Sequence, residues 1–272
     1  MLLAHISDLH VLAEGKLAYG VVDTNGLVAA AIADINQLSP QPDLVVATGD
    51  LVHWGEVAEY EQLKMLLGRL EMPVYLLPGN HDQRQNLRRV FADQSYLPNE
   101  GADGGEYLQY VIDDYPMRLI MLDTVVPGEG GGELDESRLA WLAAQLAAAP
   151  RRPTLVFMHH PPFTTQITSM DAIGLKGRDR FAEIISRYPC VERVGCGHLH
   201  RPILKRWAGT IAYTVPSLVH QVDLDLRPEA EGQFRMEPPA YHLHLWHDDT
   251  GLISHTQYVG SYAGPYPFAV AS

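Results

Sequence analysis

Short apolar runs alternate with helix-like segments through the first two thirds of this 272-residue sequence. Apolar runs bounded by Gly or Pro are typical of buried strands, and apolar residues spaced by three and four are typical of helices. Strands are predicted at 2–6, 43–48, 73–77, 106–112, 117–122, 153–158 and 191–196, and helices near 25–38, 56–70, 83–93, 135–148 and 178–188. This alternation predicts a layered α/β domain.

From about residue 209 the pattern changes to strands with little helix, in GTIAYTV, YHLHLW and LISHTQYV. We therefore predict a core over 1–208 and a segment over 209–272, which completes a second sheet and adds a small β-rich cap or dimerisation element. Loops at 98–105, 127–132 and 160–178 are long enough to carry function. His242 and His244 alternate along one of the late strands, which we expect to be half exposed and not a third metal site.

The composition restricts the compartment and the partners. No apolar stretch approaches the roughly 18 residues that a membrane span needs, and no signal-peptide pattern precedes the first predicted strand, so we expect a cytoplasmic protein without membrane contact. Cys190 and Cys196 form no C-x-x-C pair and fit a reducing compartment as buried small side chains. A formal net charge of −13 without a basic run argues against nucleic acid as a partner.

Five of the apolar runs are followed directly by His, Asp or Asn, in the motifs SDLH, GD, PGNHD, HHPP and GHLH. In an open α/β sheet, ligands bind at the carboxyl ends of the strands, so we expect these motifs to meet. Asp8 and His10 are two residues apart, as are His198 and His200. On an extended backbone, each pair would point to one side and could reach one centre.

These four residues and three others supply seven oxygen and nitrogen donors without a thiolate; the other three are Asp50, Asn80 and His159. Such donors suit Mn, Fe, Co or Zn. Seven are too many for one transition metal and fit two ions that share a carboxylate, for which Asp50 is the natural bridge. Two divalent ions about 3.5–4 Å apart can hold a hydroxide and clamp a phosphoryl oxygen. With the two aspartates and a hydroxide, they leave a charge of about +1 that attracts a phosphate diester.

The motif set resembles that of the calcineurin-like metallophosphoesterases, in family order from residue 8 to residue 200. The motifs are Asp8-x-His10, Gly49-Asp50, Gly79-Asn80-His81-Asp82, His159-x-Pro161 and Gly197-His198-x-His200. Within that superfamily the sequence resembles the class III cyclic-nucleotide phosphodiesterases and, more closely, the bacterial glycerophosphodiesterase branch. The closer resemblance rests on LLAHISDLH, FMHHPPF, VHQV around His220 and YAGP at 262–265. It implies a four-layer αββα sandwich, two divalent transition-metal ions per subunit (Fe, Mn, Zn or Co) and a homo-oligomer built on a dimer.

The resemblance also implies a role for each site residue. It assigns Asp8, His10, Asp50 and His200 to the first metal, and Asp50, Asn80, His159 and His198 to the second. The neutral amide of Asn80 would be a weak ligand and leave the second ion exchangeable. His81 would act at the scissile phosphate, as a charge stabiliser or as the acid that protonates the leaving alkoxide. Asp50 and His81 are thus the predicted catalytic residues, and the predicted substrate-binding residues are Asn80, His81, His220, Tyr19 and Asn25.

Neighbours of the motifs have more ordinary interpretations. We expect His160 to orient His159 from behind, and Asp82 to cap the following helix. His5 alternates with apolar residues and is predicted to be a hydrogen-bonded core histidine. His53 and Trp54 follow Asp50 closely. They could line the site or pack within their own loop, and the sequence does not choose between these two roles.

The predicted activity is therefore that of a dinuclear metal-dependent phosphodiesterase, a phosphoric diester hydrolase. It would cleave small diesters, either glycerophosphodiesters or 3′,5′-cyclic nucleotides or both, by attack of a metal-bound hydroxide. One alternative is a metal-dependent nuclease, against which the charge argues; another is a catalytically silent scaffold, against which the complete motif set argues. The motifs do not choose the diester, and we expect 160–178, the segment near His220 and the C-terminal tail to do so.

Overall fold

The computed structural model describes residues 1–98 and 106–268, so most of the predicted loop at 98–105 lies outside the described residues. Its strands, in chain order, are β1 (Leu2–Ile6), β2 (Leu44–Thr48), β3 (Val74–Leu77), β4 (Tyr110–Ile112), β5 (Arg118–Met121), β6 (Gly132–Glu133), β7 (Thr154–Met158), β8 (Leu175–Lys176), β9 (Val191–Cys196), β10 (Ile203–Trp207), β11 (Thr210–Thr214), β12 (Gln221–Val222), β13 (Phe234–Arg235), β14 (Ala240–His247) and β15 (Gly251–Tyr258). Its helices are α1 (Thr24–Asn36), α2 (Val57–Leu67), α3 (Arg84–Val90), α4 (Glu136–Ala148), α5 (Thr168–Asp171) and α6 (Arg178–Ile185).

Two sheets form the centre of the molecule. The first has the order β15-β14-β1-β2-β3, and the second has the order β10-β11-β9-β7-β5-β4. Strands β1, β2 and β3 run parallel to one another, as do β5, β7, β9 and β11. The carboxyl ends of the parallel strands in each sheet therefore share an edge, which is where the polar motifs leave the sheets.

The buried side chains show how the layers stack. Val28 and Ile32 of α1 belong to the same apolar cluster as Val45 of β2 and Phe157 of β7, so this core spans a helix layer and both sheets. A second cluster joins α4 and α6 to the outer face of β7 and β9, through residues such as Leu142. The resulting order is helices, sheet, sheet, helices. The predicted αββα sandwich is confirmed.

Strands after residue 208 take part in both sheets. Strand β11 pairs with β9 in the second sheet, while β14 pairs with β1 in the first, with Leu2 opposite Leu245. The short strands β12 and β13 form a separate two-stranded sheet that fits the predicted cap. The division at 208/209 stays a prediction, because each sheet contains strands from both sides of it.

Element ends differ from the predictions in a few places. The helix predicted at 56–70 ends at Leu67, where Gly68 follows as the C-cap, and the helix predicted at 83–93 ends at Val90. The strand predicted at 106–112 forms only over Tyr110–Ile112. Across the described part of the chain, no helix combines the length and the apolar character needed to cross a membrane.

Candidate metal centre

The structure brings the seven predicted ligands together between the carboxyl ends of five strands. Asp8, Asp50 and Asn80 follow β1, β2 and β3 of the first sheet, while His159 and His198 follow β7 and β9 of the second. Six of the seven side chains are at most 6% exposed, and Asn80 is half buried. The two sheets thus face each other across a polar centre at this edge.

One group of donors matches the predicted first metal. Ligand atoms of Asp8, His10, Asp50 and His200 all lie within 4.8 Å of one another. The imidazole nitrogens Nε2 of His10 and His200 are 3.2 Å apart, and Nε2 of His200 is 3.5 Å from Oδ1 of Asp8. Four buried donors from three separate motifs therefore surround one point.

A second group lies on the other side of Asp50. The amide oxygen Oδ1 of Asn80 is 3.1 Å from Nε2 of His159 and 3.1 Å from Nδ1 of His198. Oxygen Oδ1 of Asp50 is 3.4 Å from His159 Nε2, whereas its Oδ2 is 3.7 Å from His10 Nε2. The two carboxylate oxygens of Asp50 face different groups, as a bridging ligand requires.

Backbone carbonyls orient three of the histidines. His159 donates from Nδ1 to the carbonyl of Thr48 at 2.7 Å, and His200 donates from Nδ1 to that of His220 at 2.8 Å. His198 donates from Nε2 to the carbonyl of Ile173 at 3.1 Å. When one ring nitrogen of a neutral imidazole carries the hydrogen, the other presents a lone pair. All three lone pairs therefore face the centre.

This tautomer pattern tests whether the residues fit divalent cations. With the hydrogens on the outer nitrogens, the inner nitrogens of His159 and His198 and the amide oxygen of Asn80 are all hydrogen-bond acceptors, although each nitrogen lies 3.1 Å from that oxygen. Acceptors this close repel one another unless a cation lies between them. Two nitrogens bound tetrahedrally at 2.0–2.1 Å would be about 3.3 Å apart, close to the 3.2 Å between His10 and His200. The donors fit two divalent transition-metal ions.

The backbone at the ligands differs from the extended form predicted for the paired motifs. Five predicted ligands have positive φ, namely Asp8, His10, Asp50, His198 and His200, with values from 44° to 69°. Residues with a Cβ adopt this conformation rarely, and it persists where surrounding structure requires it. The pairs do converge, but through left-handed turns directly after the strands and not along extended backbone.

Two glycines allow the motifs to approach each other. A Cβ on Gly79 would collide with the amide nitrogen and the carboxylate of Asp50, and a Cβ on Gly49 would lie 2.7 Å from the backbone of Gly79. Gly49 also has a φ of 94°. The Gly-Asp and Pro-Gly-Asn motifs therefore pack backbone against backbone, which sets Asp50 beside Asn80.

His81 lies next to the centre without joining either group of ligands. It donates from Nδ1 to the carbonyl of His53 at 2.7 Å, so its Nε2 is directed elsewhere, 4.0 Å from Oδ2 of Asp50. Burial lowers the pKa of His81, but the Asp50 carboxylate, the hydrogen bond to the carbonyl of His53 and the Asp82 carboxylate together raise it above its usual value. Its side chain is 30% exposed and lines a cavity.

Asp82 does not cap the following helix, so that prediction is wrong. Its carboxylate accepts hydrogen bonds from the backbone of Gly79 and Leu51 and from the hydroxyl of Tyr60. The N-cap of α3 is Gln83. The Asp82 carboxylate instead ties the Pro-Gly-Asn turn to the loop after β2, and burial together with Asp50 raises its pKa to about 7.

The three remaining predicted substrate residues lie in different settings. The His220 ring packs 4.6 Å from that of His200, and burial, followed by His200, lowers its pKa to about 3. The Tyr19 ring is 52% exposed and lies 5.2 Å from His53 and 5.4 Å from His220. Both amide atoms of Asn25 are hydrogen-bonded to the backbone of Leu12, which leaves its contact with substrate a prediction.

A cavity of about 460 Å³ opens beside the centre. It is lined by Asn80 and His81 and by both His53 and Trp54, so these two residues face the site. Nδ1 of His53 is 3.3 Å from Nδ1 of His10, and burial, followed by His81, lowers the pKa of His53 to about 4. The Trp54 side chain is 62% exposed.

An ion pair that belongs to none of the sequence motifs lies at the wall of this cavity and includes Arg84. Arg84 donates from Nε and Nη2 to the Asp123 carboxylate at 2.6 and 2.9 Å, and from Nη2 to the carbonyl of Val125. Both charged side chains are buried. Because their partners are far apart in the sequence, no local pattern indicates the pair.

His160 and His5 are both buried and hydrogen-bonded. His160 bonds to Thr124 Oγ1 and to the carbonyl of Gly130, so it packs against the ring of His159 without a hydrogen bond to it. His5 is confirmed as a core histidine, with Thr48 and Tyr213 as partners at 2.8 and 2.9 Å.

The late histidines are more buried than predicted. His242 and His244 are 6% and 1% exposed, because their side of β14 faces Tyr213 of the second sheet. The Tyr213 hydroxyl is 2.7 Å from Nε2 of His244. The expectation of a half-exposed strand is therefore wrong for these two residues, while His247 at its end is exposed.

Comparisons with known proteins give the family and the fold. A family model described as calcineurin-like phosphoesterase matches residues 1–202. The chain is 41% identical over 269 residues, 98% of this chain and 97% of the relative, to a probable glycerophosphodiester phosphodiesterase of Arcobacter nitrofigilis. It is 30% identical to the 3′,5′-cyclic adenosine monophosphate phosphodiesterase of Escherichia coli K12, over 78% of this chain and 74% of that protein. A dimetal phosphatase from Danio rerio has the same fold, with a TM-score of 0.66 at 16% identity over 96% of this chain and 99% of the other.

Proposed function

The chain belongs to the calcineurin-like phosphoesterase family, and from this premise we propose that it hydrolyses small phosphate diesters with the help of two divalent transition-metal ions. The observation that carries the proposal is the Asp50 carboxylate, whose two oxygens face two separate groups of buried donors. A family fold without activity would not need seven converging ligands. Relatives named as phosphodiesterases support a phosphoric diester hydrolase, and the complete set of ligands argues against a scaffold.

The residues divide into two ligand sets that share Asp50. Asp8, His10 and His200 would complete the first set, and Asn80, His159 and His198 the second. Divalent cations held there would supply Lewis acidity, which lowers the pKa of water and neutralises phosphate charge. The carbonyls of Thr48, His220 and Ile173 keep the histidine lone pairs directed inward and so prepare the site for cations.

His81 would protonate the leaving group. Its Nδ1 hydrogen is held by the carbonyl of His53, so the proton available to substrate is the one on Nε2. As the P–O bond to the departing alcohol breaks, its oxygen takes this proton and leaves as a neutral hydroxyl. Burial lowers the pKa of His81, but Asp50, the hydrogen bond to the His53 carbonyl and Asp82 together raise it, which favours the protonated form that this step needs.

We favour glycerophosphodiesters over cyclic nucleotides as substrates. Two relatives that match 98% of the chain are named glycerophosphodiester phosphodiesterases, those of Arcobacter nitrofigilis and, at 35% identity, Enterobacter lignolyticus. The cavity beside Asn80 and His81 would receive one ester arm of the diester, with Trp54 at its mouth. Its lining combines apolar surface with the side chains of Gln85 and Glu106, which suits a small hydroxylated or amine-bearing alcohol.

Rates on glycerophosphoethanolamine, cyclic AMP and a phosphate monoester test the proposal, with protein reconstituted separately with Mn, Zn, Fe and Co. We expect the glycerophosphodiester to be cleaved fastest and chelation to abolish every rate. Asp50→Asn is the inactive control, and His247→Asn at an exposed strand end is the matched active control. A fully metallated sample that cleaves no phosphate ester would overturn the enzymatic function, whereas faster cleavage of cyclic AMP would overturn only the substrate preference.

We also propose that the protein forms a homo-oligomer built on a dimer. Leu224, Leu226 and Met236, beside the small β12–β13 sheet, are each 57% or 58% exposed. Exposed apolar side chains on one small segment would be covered if that segment formed an interface. Light scattering coupled to size exclusion measures the mass, and Leu226→Asp should lower it; a monomeric wild-type protein would contradict the proposal.

A further inference from the structure

A second cavity, of about 290 Å³, lies between the two sheets and away from the metal centre. Its lining includes Arg193, Tyr213 and His242 and, on the apolar side, Pro202, Leu204 and Ile211. Strands β9, β10 and β11 of the second sheet contribute to it, together with β14 and β15 of the first. Arg193 is near the start of β9, whereas His198 of the metal centre follows the end of that strand. None of the predicted ligands lines this cavity.

Arg193 is a half-buried arginine without a counter-ion among the described residues. The buried arginines of the described chain pair with aspartate, as Arg84 does with Asp123 and Arg118 with Asp113. In the part of the chain that the structure describes, no carboxylate pairs with Arg193. Its Nη2 donates to the carbonyl of Leu252 at 3.3 Å, and its Nε is buried with no hydrogen-bond partner in residues 1–98 and 106–268. A half-buried guanidinium that lacks both a counter-ion and a partner for one N–H group attracts an anion.

His242 adds a second unsatisfied polar atom to the same lining. The residue is 6% exposed, and no described residue forms a hydrogen bond with its Nδ1. Burial, followed by the charge of Arg193, lowers the pKa of His242 to about 4, so its imidazole is neutral near pH 7. The permanent charge of the lining is therefore the single positive charge of Arg193, on a chain whose formal net charge is −13.

We propose that this cavity binds a small organic monocarboxylate, with its carboxylate on Arg193 and its apolar part against Leu204 and Ile211. A planar guanidinium pairs with a carboxylate through two parallel hydrogen bonds. One positive charge balances one negative charge, whereas a dianionic phosphate monoester would leave an excess negative charge. The leucine is 73% exposed and the isoleucine 36% exposed, so a hydrocarbon part of the ligand would cover apolar surface that now faces water.

Benzoate is a suitable probe, because it joins one carboxylate to one apolar ring. Calorimetric titration of the metal-loaded protein should show saturable benzoate binding, with neutral benzamide binding much more weakly. Arg193→Gln should weaken benzoate binding by about tenfold or more, because it removes the charged, bidentate partner. Arg206→Gln is the matched control, since Arg206 is an exposed arginine of β10 outside the lining. Benzoate held at the metal centre would bind equally to both variants.

A second pair of variants serves if Arg193→Gln fails to fold. Leu204→Glu adds a carboxylate at an exposed position of the cavity and should repel benzoate, whereas Met65→Glu, at a 60% exposed apolar position of α2 outside the lining, should not. Absence of saturable benzoate binding by the wild-type protein would overturn the proposal. Equal affinities in the Arg193 and Arg206 variants would do so too, as would equal binding of benzamide. Binding of inorganic phosphate in preference to benzoate, with the same dependence on Arg193, would overturn the assignment to a carboxylate.

Discussion

The imidazole of His81 donates a hydrogen bond from Nδ1 to the backbone carbonyl of His53 at 2.7 Å. This contact fixes the tautomer and turns Nε2 away from the loop, toward the side of Asp50. A histidine held in this way can exchange only its Nε2 proton without losing its anchor. The hydrogen bond to His53 therefore leaves Nε2 as the atom through which His81 can donate a proton.

Replacing His81 with alanine should leave both metal ions bound, because its imidazole belongs to neither ligand set. The rate should fall by about 10²–10⁴ for diesters with poor leaving groups and much less for p-nitrophenyl diesters, whose leaving oxide is stable without a proton. Metal content by mass spectrometry and a comparison of leaving groups check this. Equal losses for good and poor leaving groups would refute the acid role and leave only charge stabilisation.

Changes at Asn80 should alter the second ion and spare the first. Asn80→Asp replaces a neutral amide oxygen with a carboxylate and should tighten the second site, whereas Asn80→Ala should empty it. Equilibrium dialysis against Mn or Zn gives the two affinities separately. A variant that loses both ions together would contradict the division of ligands, since that outcome is expected only for Asp50→Asn, which damages the shared carboxylate.

Adding a methyl group at Gly79 should disrupt the centre. The new Cβ would collide with the backbone and carboxylate of Asp50, so Gly79→Ala should lower the free energy of unfolding by about 1–3 kcal/mol and weaken metal binding. Gly232→Ala is the control, because its Cβ would meet only ordinary contacts with Ser169 at 3.5 Å. Urea unfolding with metal analysis measures both effects, and a Gly79→Ala protein with wild-type metal content would show that the loops can separate.

The buried histidine His242 should make the protein less stable in acid. Burial, followed by Arg193, lowers its pKa to about 4 in the folded state, against about 6.5 when unfolded. The unfolded chain therefore takes up the proton first, so this contribution is present above pH 6.5 and is lost as the pH falls toward 4. The loss is about 1.4 kcal/mol per pH unit for one such group.

Urea unfolding between pH 7 and pH 4.5 isolates that contribution when variants are compared without added carboxylates. His242→Gln should flatten the pH dependence of the unfolding free energy relative to the wild type. His247→Gln, at the exposed end of the same strand, should leave it unchanged. A wild-type slope in the His242 variant would mean that His242 is protonated in the folded protein.

Much of the site could be predicted because its residues lie in short motifs. Asp8 and His10 follow one strand, and His198 and His200 follow another, so the sequence places each pair at a strand end. Parallel strands bring their carboxyl ends to one edge whatever the loops do. The αββα layers and the seven ligands were therefore accessible from apolar periodicity and from a family resemblance.

Other features depend on contacts that no local pattern encodes. Asp82 has the residue type and position of a helix cap, yet its carboxylate reaches Leu51 and Tyr60, which only folding brings near. His242 and His244 alternate as on a half-exposed strand, but the second sheet covers them with Tyr213. In each case, contacts with residues distant in the sequence determine the position of the side chain, and the local sequence pattern does not.

The sequence by itself determined which donors exist and at which strand ends they lie, because chain direction and spacing are local properties. Tertiary structure alone decided which nitrogen of His159, His200 and His198 faces the centre, through the carbonyls of Thr48, His220 and Ile173. It also decided that Arg193 has no carboxylate partner within the described part of the chain, while Arg84 has one. Hydrogen bonds and charge pairs act over a few ångströms of space, and only the folded chain sets those distances.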